Sequence, residues 1–171
     1  MQVRDANVSD ISELSAVGSS VFWNAYGGTA PDDEIANHVS SYFSEEYIAN
    51  EIVRPEVVYH MAVENGQCAG IIKVRDSDVP ELVVAASAME VQQLYVSPDF
   101  QRRGIGALLL DQAVITAKNK GADGLWLSCW EDADWAKSFY DKYGFTSLGK
   151  IPFMLDVTEY NDHLMWLPVG S

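Results

Sequence analysis

The chain has 171 residues, of which 48% are hydrophobic and 11% aromatic. This composition is typical of a globular protein with an apolar core, and the length predicts one domain. The 11 basic and 25 acidic residues give a formal net charge of −14. Such a charge disfavours binding to nucleic acid or to an anionic membrane and favours cationic partners. A role in solubility alone is the alternative explanation.

The cysteines and the N-terminus predict a cytoplasmic protein. Cys68 and Cys129 lie far apart in apolar segments without metal-ligand spacing, so we expect free thiols in a reducing compartment. The first residues contain no apolar signal segment, and no stretch is long enough to span a bilayer. His38, His60 and His163 also lack metal-ligand spacing, so no metal is expected.

The N-terminal part of the chain predicts a short strand followed by helices. Residues 3–6 suit a strand, and Ser9 or Asp10 can cap a helix whose apolar residues have helical spacing. Acidic residues after Pro31 and Ser44 indicate the starts of two further helices, because the helix dipole favours negative charge there.

Strand periodicity begins near residue 56. Alternating segments at 57–64 and 67–75 flank an Asn-Gly pair, which predicts a β-hairpin. An apolar strand at 89–96 precedes a helix. The continuous apolar run at 125–130 is typical of a buried, parallel strand.

The remaining segment adds a helix and two strands. A helix over 132–143 ends at Gly144, and a strand follows. Residues 156–162 suggest a polar turn and residues 164–167 a last strand. The whole is a single mixed α/β domain over 1–171, with parts at 1–55, 56–121 and 122–171.

A glycine-bearing loop joins the strand at 89–96 to the next helix. It consists of Gln101, Arg102, Arg103, Gly104, Ile105, Gly106 and Ala107. Free N–H groups and a helix dipole at such a loop bind phosphate. Gly104 and Gly106 allow close approach of a ligand, and the arginines add positive charge. A helix start with solvated arginines is the alternative for this loop taken alone.

Two motifs together resemble one family. The strand–loop–helix resembles the acetyl-CoA loop of the Gcn5-related N-acetyltransferases, called GNAT below. Residues 136–145, Ala-x-x-Phe-Tyr-x-x-x-Gly-Phe, are similar to the second conserved block of that family. The aromatic first segment, the Trp-Glu pair at 130–131 and the closing residues 162–165 also resemble the PaiA-type polyamine acetyltransferases.

The resemblance implies a twisted mixed sheet of about six to seven strands, flanked by helices and split between strands four and five. It implies acetyl-CoA as co-substrate, with its pantetheine arm along the splayed strand four at Leu94, Tyr95 and Val96. Its pyrophosphate would bind the N–H groups of 101–107. Lys142 would contact the ribose phosphate, or is an ordinary exposed lysine. Ala133 stands where family members carry an asparagine that contacts the coenzyme.

Acetyl transfer to an amine needs a base, a group that polarises the thioester and an acid that protonates the leaving thiolate. An alkyl amine has a pKa near ~10 and arrives charged. Glu90 is the candidate base, because the resemblance implies a strand-four glutamate there; a solvated strand acid is the alternative. Tyr140 is the candidate acid, and a core tyrosine is the alternative. A backbone N–H near Leu94 or Tyr95 could polarise the carbonyl.

The acceptor site is expected to come from the N-terminal helices. Trp23, Tyr26, Glu34 and Tyr42 could form an aromatic and acidic slot for a cation, with core packing as the alternative. The predicted function is acetyl transfer in a ternary complex to a primary amine of a small molecule, with a polyamine as one candidate. A protein or peptide N-acetyltransferase and a non-catalytic acyl-CoA-binding module are the alternatives. The resemblance also implies a homodimer.

Overall fold

The computed structural model describes residues 1–170. Ser171, the end of the expected domain, lies outside the described residues. Seven strands form one sheet: β1 (Gln2–Asp5), β2 (Val57–Glu64), β3 (Gln67–Asp76), β4 (Met89–Val96), β5 (Gly124–Trp130), β6 (Thr146–Leu155) and β7 (Thr158–Pro168). Their order is β1-β2-β3-β4-β5-β7-β6. The β4–β5 pair is parallel and the others are antiparallel, which confirms the predicted mixed fold.

Helices cover both faces of the sheet. They are α1 (Ile11–Tyr26), α2 (Asp32–Phe43), α3 (Glu45–Glu51), α4 (Ile105–Asn119) and α5 (Asp134–Tyr143). Tyr59 and Met61 of β2 pack with α1 and α3 on one face. Ala62 of β2 packs with α4 and α5 on the other, as strand alternation requires. Among the described helices, none combines the length and apolar character that a membrane crossing requires.

The cap at the first helix differs from the predicted one. Asn7, rather than Ser9 or Asp10, accepts the capping hydrogen bond at a short 3-10 helix over Val8–Asp10 that leads into α1. The Asp10 carboxylate instead accepts the Asn7 N–H at 2.9 Å and two 2.8 Å hydrogen bonds from Arg4. The extra turn arises because the Asn7 and Asp10 side chains satisfy each other's backbone donors.

The C-terminal hairpin is longer than predicted. The turn comprises only Asp156 and Val157, so the polar turn predicted over 156–162 was wrong. The last strand predicted over 164–167 is present but begins six residues earlier. Residues 158–163 belong to β7, although polar side chains dominate there. Glu159 and Asn161 are exposed, whereas Asp162 is buried. The polar residues therefore alternate between solvent and the interior, as in any half-buried strand.

The sheet splits between β4 and β5. These strands pair only at Met89–Leu125 and Glu90–Trp126, although β4 continues to Val96 and β5 to Trp130. A register shift against β3 leaves Gln92 as an extra residue at the point of divergence. The predicted split between strands four and five is confirmed, and it leaves one backbone edge of β4 without a strand partner in the described chain.

Candidate functional site

A cavity of about 400 Å³ lies beside the split. Helices α1 and α2 form one wall, strands β4 and β5 the floor, and the β6–β7 hairpin the opposite wall. Aromatic side chains dominate its lining, among them Tyr26, Tyr42, Tyr95, Trp126, Trp130 and Tyr160. Its charged side chains are Arg75, Glu90 and Asp162. A largely apolar cavity with a few converging polar groups is the usual form of a small-molecule site.

The structure brings two of the four predicted acceptor residues to this cavity. Tyr26 and Tyr42 line it. Trp23 packs instead against the aromatic cluster under α1 and α2. Glu34 accepts a 2.8 Å hydrogen bond from the Thr158 hydroxyl and so links α2 to β7. Trp23 and Glu34 therefore stabilise the packing of the elements around the cavity but do not line it.

Glu90 lies at the base of the split and faces the cavity. Its residue is 8% exposed, and its Oε2 atom is 2.6 Å from Nε of Arg75 on β3. Gln92, two residues further along β4, also lines the cavity. Its Oε1 atom is buried and has no hydrogen-bond partner among the described residues. Arg75 thus compensates the charge of Glu90, while the amide oxygen of Gln92 accepts no hydrogen bond from the described residues.

Tyr140 of α5 lies behind the split, with its ring 5.6 Å from that of Phe145. Burial raises the pKa of its hydroxyl far above the ordinary value, and Cys129 and Tyr26 add to the effect. Burial likewise raises the pKa of Tyr95, with smaller effects from Tyr26 and Tyr140. The hydroxyls of Tyr26, Tyr95 and Tyr140 are close enough to affect one another's pKa values. All three stay protonated at neutral pH and can donate hydrogen bonds.

Asp162 is a cavity residue that the sequence analysis missed. It lies opposite Trp130 across the β5–β7 pair, is 4% exposed, and its Oδ1 atom has no hydrogen-bond partner among residues 1–170. Burial raises the pKa of its carboxyl to about 6, although the neighbouring Ser128 hydroxyl lowers it. The alternation of Tyr160, Asp162 and Leu164 was the signal that could have placed it inside.

His38 is a second cavity residue to which the sequence analysis assigned no role in the site. Its ring stacks on Phe22 at 4.6 Å, and its buried Nδ1 atom has no partner in the described chain. Burial lowers the pKa of His38 to about 4, so the imidazole is neutral near pH 7. Its spacing of four residues from Tyr42 on α2 was the available signal, because this spacing puts both on one helix face.

The loop at 101–107 opens α4 with unused backbone donors, although the Gln101 N–H donates to the Pro98 carbonyl at 3.2 Å. Gly104 is the N-cap in the left-handed region with φ of 77°, and Arg102 also has a positive φ of 60°. The Leu108 N–H is the first that donates to a helical carbonyl, that of Gly104 at 3.1 Å, so the N–H groups at 105–107 have no acceptor within the helix. A Cβ on Gly104 would meet nothing within 4 Å. This open helix start fits an anionic phosphate group.

Other loop residues have structural partners. A Cβ on Gly106 would lie 2.9 Å from Cζ of Phe139, so this glycine permits close packing of α4 on α5. Arg103 forms an ion pair with Glu64 at 2.5 Å. Ala107 is partly buried, Ile105 belongs to the core, and Arg102 and Lys142 are exposed. The fixed positive charge at the loop therefore comes mainly from Arg102.

The splayed part of β4 presents the backbone edge expected for a pantetheine arm. Leu94, Tyr95 and Val96 pair with β3 on one side, and no described strand lies against their other side. The Gln101 side chain donates to the Val96 carbonyl at 3.2 Å, which ties the loop to this edge. Ala133 is buried at the N-cap of α5 and makes no side-chain cap hydrogen bond.

Comparisons with known proteins agree with this geometry. The Acetyltransferase (GNAT) family profile matches residues 22–145. An uncharacterized N-acetyltransferase of Lactobacillus delbrueckii subsp. lactis is 24% identical, covering 96% of this chain and 95% of its own. A spermidine N(1)-acetyltransferase of Thermoplasma acidophilum is 26% identical, covering 85% and 88%. The crystal structure of the PaiA N-acetyltransferase from Thermoplasma acidophilum in complex with coenzyme A superposes with a TM-score of 0.79 at 23% identity, covering 98% of each chain.

Proposed function

Because the chain belongs to the acetyltransferase (GNAT) family, we propose that it transfers acetyl from acetyl-CoA to a primary amine of a small molecule, with polyamines as the favoured acceptors. The observation that carries this proposal is the cavity beside the split, which combines aromatic walls with buried acceptor atoms and carboxylates. Ammonium groups bind to such surfaces through carboxylates and aromatic faces. The spermidine acetyltransferase among its relatives supports the same class.

The coenzyme would bind on the other side of the split. Its pyrophosphate would accept hydrogen bonds from the N–H groups of the 101–107 loop, where Gly104 leaves open space. Its pantetheine amides would pair with the free edge of β4 at 94–96. Lys142, exposed on α5, would contact the ribose phosphate. Ala133 supplies no polar side chain to the coenzyme, so backbone donors would provide most of the binding.

The reaction would proceed by direct attack in a ternary complex. The acceptor nitrogen forms a bond to the acetyl carbonyl carbon, the bond from that carbon to sulfur breaks, and the nitrogen loses a proton. The N–H of Leu94 or Tyr95 would polarise the carbonyl oxygen. Tyr140, which burial keeps protonated at neutral pH, would donate its hydroxyl proton to the departing thiolate and regain a proton from solvent, so that the buried tyrosinate does not persist.

Glu90 would receive the proton of the acceptor through a water. The ion pair with Arg75 occupies Oε2, so Oε1 is the atom that would accept from that water. The unpaired Oε1 atom of Gln92 is suited to orient the same water. Burial makes such a relay effective, because competing bulk solvent is excluded.

The direct test is thiol release from acetyl-CoA with polyamines, amino acids, aminoglycosides and short peptides as acceptors. We expect turnover with spermidine or spermine, and a large loss of kcat with Glu90→Gln at unchanged affinity for coenzyme. Preference for peptides would replace a small-molecule acceptor by a protein one. Coenzyme binding without turnover on any acceptor would indicate a binding module and refute the proposal.

A further inference from the structure

The two carboxylates of the cavity, Glu90 and Asp162, differ in whether a cation neutralises their charge. Glu90 is in an ion pair with Arg75, and Arg75 is the one Lys or Arg side chain that lines the cavity in residues 1–170. Asp162 is more deeply buried, at 4% exposure, and its Oδ1 atom has no partner within the described chain. A buried carboxylate without a cation is costly for a folded protein. A cationic ligand would remove that cost.

Aromatic rings surround Asp162 on the cavity side. Trp130 is its direct neighbour across the β5–β7 pair, and Tyr26 lies edge-on to Trp130 with ring centroids 6.1 Å apart. Asp162 is close enough to Tyr26 to raise the pKa of its hydroxyl, although burial is the larger cause. A carboxylate between aromatic rings is a site for an ammonium group, which is attracted to both.

The position of Asp162 relative to Glu90 indicates the length of the ligand. Glu90 pairs with Trp126 on β5, and Asp162 pairs with Trp130 four residues further along the same strand. Four residues along a strand and two strand spacings across the sheet place the two Cα atoms roughly 16 Å apart. A ligand that reaches both carboxylates must therefore be long and carry a cationic group near each end.

We propose that Asp162, with Tyr26 and Trp130, binds the non-reacting ammonium group of a linear diamine or polyamine while the reacting amine is held near Glu90. This inference rests on the proposed acetyl transfer and names the residue that selects the acceptor. A monoamine of the same length leaves the Asp162 carboxylate buried without a cation, which penalises its binding. The subsite therefore selects against acceptors with a single amine.

The test compares Asp162→Asn with Glu159→Gln. Both substitutions remove one negative charge from β7, but Glu159 is exposed and forms no ion pair within residues 1–170. The acceptors are spermidine and an analogue in which a methyl group replaces one terminal amine. In Asp162→Asn we expect the KM for spermidine to rise about 10- to 100-fold, the range for losing a charge-assisted hydrogen bond, with kcat little changed. Glu159→Gln should keep the wild-type KM.

Discrimination between the two acceptors is the second readout. The wild-type enzyme should prefer spermidine over the analogue in kcat/KM by about tenfold or more, and Asp162→Asn should abolish most of this preference. Asp162→Ser serves as a second variant if the asparagine variant folds poorly. Calorimetric binding of spermidine to the wild-type enzyme with coenzyme A present should show the same preference without turnover.

Three outcomes overturn the assignment in different ways. An Asp162→Asn enzyme that acetylates spermidine with a wild-type KM and preference refutes the role of Asp162 while leaving the proposed function intact. A loss of kcat without a change of KM places Asp162 in the chemical step and also refutes the binding role. A wild-type enzyme that acetylates no amine refutes the proposed function itself, and the subsite falls with it.

Discussion

Replacing Asp162 with asparagine should stabilise the folded protein at neutral pH. Asparagine has nearly the same shape as aspartate but carries no charge, so it keeps the packing against Trp130. The carboxyl of Asp162 has its pKa raised by burial from 3.8 to about 6. Folding at pH 7 therefore requires a charge to be buried without a cation, and the substitution removes that requirement.

The magnitude follows from the difference between the two pKa values. Each pKa unit corresponds to about 1.4 kcal/mol, so the shift sets an upper limit of about 3 kcal/mol on the cost. The asparagine amide must itself be buried, which offsets part of this cost, and we expect a gain of about 1–2 kcal/mol. The raised pKa means that the native state holds the extra proton between pH ~4 and ~6. The cost is absent below this window and complete above it.

The assay is urea unfolding of the wild-type protein, Asp162→Asn and Glu159→Gln at pH 7.5 and pH 5. With a slope of about 2 kcal/mol per molar urea, a gain of 1–2 kcal/mol raises the midpoint by about 0.5–1 M. About half of that gain should remain at pH 5, because the native carboxyl is then mostly protonated. Glu159→Gln reports how much of any gain comes from lowering the net charge of −14.

Two results would refute this reasoning. Equal midpoints for the wild-type protein and Asp162→Asn at pH 7.5 would mean that Asp162 has a compensating partner. An equal gain in Asp162→Asn and Glu159→Gln at both pH values would mean that relief of general charge repulsion is the cause. A stabilising substitution that impairs acceptor binding, in contrast, is expected of a residue retained for function.

Three further predictions concern other parts of the molecule. Gly104→Glu should weaken coenzyme A binding in calorimetry by about 100-fold or more, because the carboxylate repels the pyrophosphate. Gly104→Asn should retain most of the affinity, because asparagine tolerates a positive φ. Equal losses of affinity in the two variants would point to backbone strain. Tyr140→Phe should lower kcat by about 100-fold with little change in coenzyme affinity, and unchanged kcat in single turnover would remove its acid role. Lys73→Met should cost about 2–4 kcal/mol in urea unfolding, because Lys73 is 0% exposed and lies 2.7 Å from Glu51; Lys118→Met, on the exposed face of α4, is the control.

The elements that carry strong local signals were predictable from the sequence. The Asn-Gly turn fixed the β2–β3 hairpin because both residues adopt positive φ values there. Helix α3 begins after Ser44, as the two glutamates that follow it indicated, and the Ser44 hydroxyl accepts the Tyr47 N–H at 3.2 Å. The apolar run before Trp130 predicted a buried strand, and its parallel pairing to β4 is confirmed. In each case neighbouring residues determine the conformation.

The acceptor side was less predictable, because distant residues determine it. Glu34 was expected in the cavity, but its partner is Thr158, which is far away in the sequence. Which face of α2 meets the β6–β7 hairpin depends on that long-range contact, and helix periodicity alone does not specify it. Asp162 was assigned to a turn because polar neighbours obscured the alternation of β7. Alternation could have placed its side chain inside, but its position on the same face as Trp130 follows from the pairing of β5 with β7.

The acidic surface and the buried carboxylate should contribute to acceptor binding in different ways. Surface charges act over a Debye length of about 8 Å at physiological salt, so they influence the encounter with a cationic acceptor and weaken as salt rises. Asp162 acts after the acceptor has entered the cavity, where salt screens little. The net charge of −14 is therefore compatible with many cations. Selection of one acceptor over another requires a fixed, buried charge at a defined distance from the reacting amine, and Asp162 has that position.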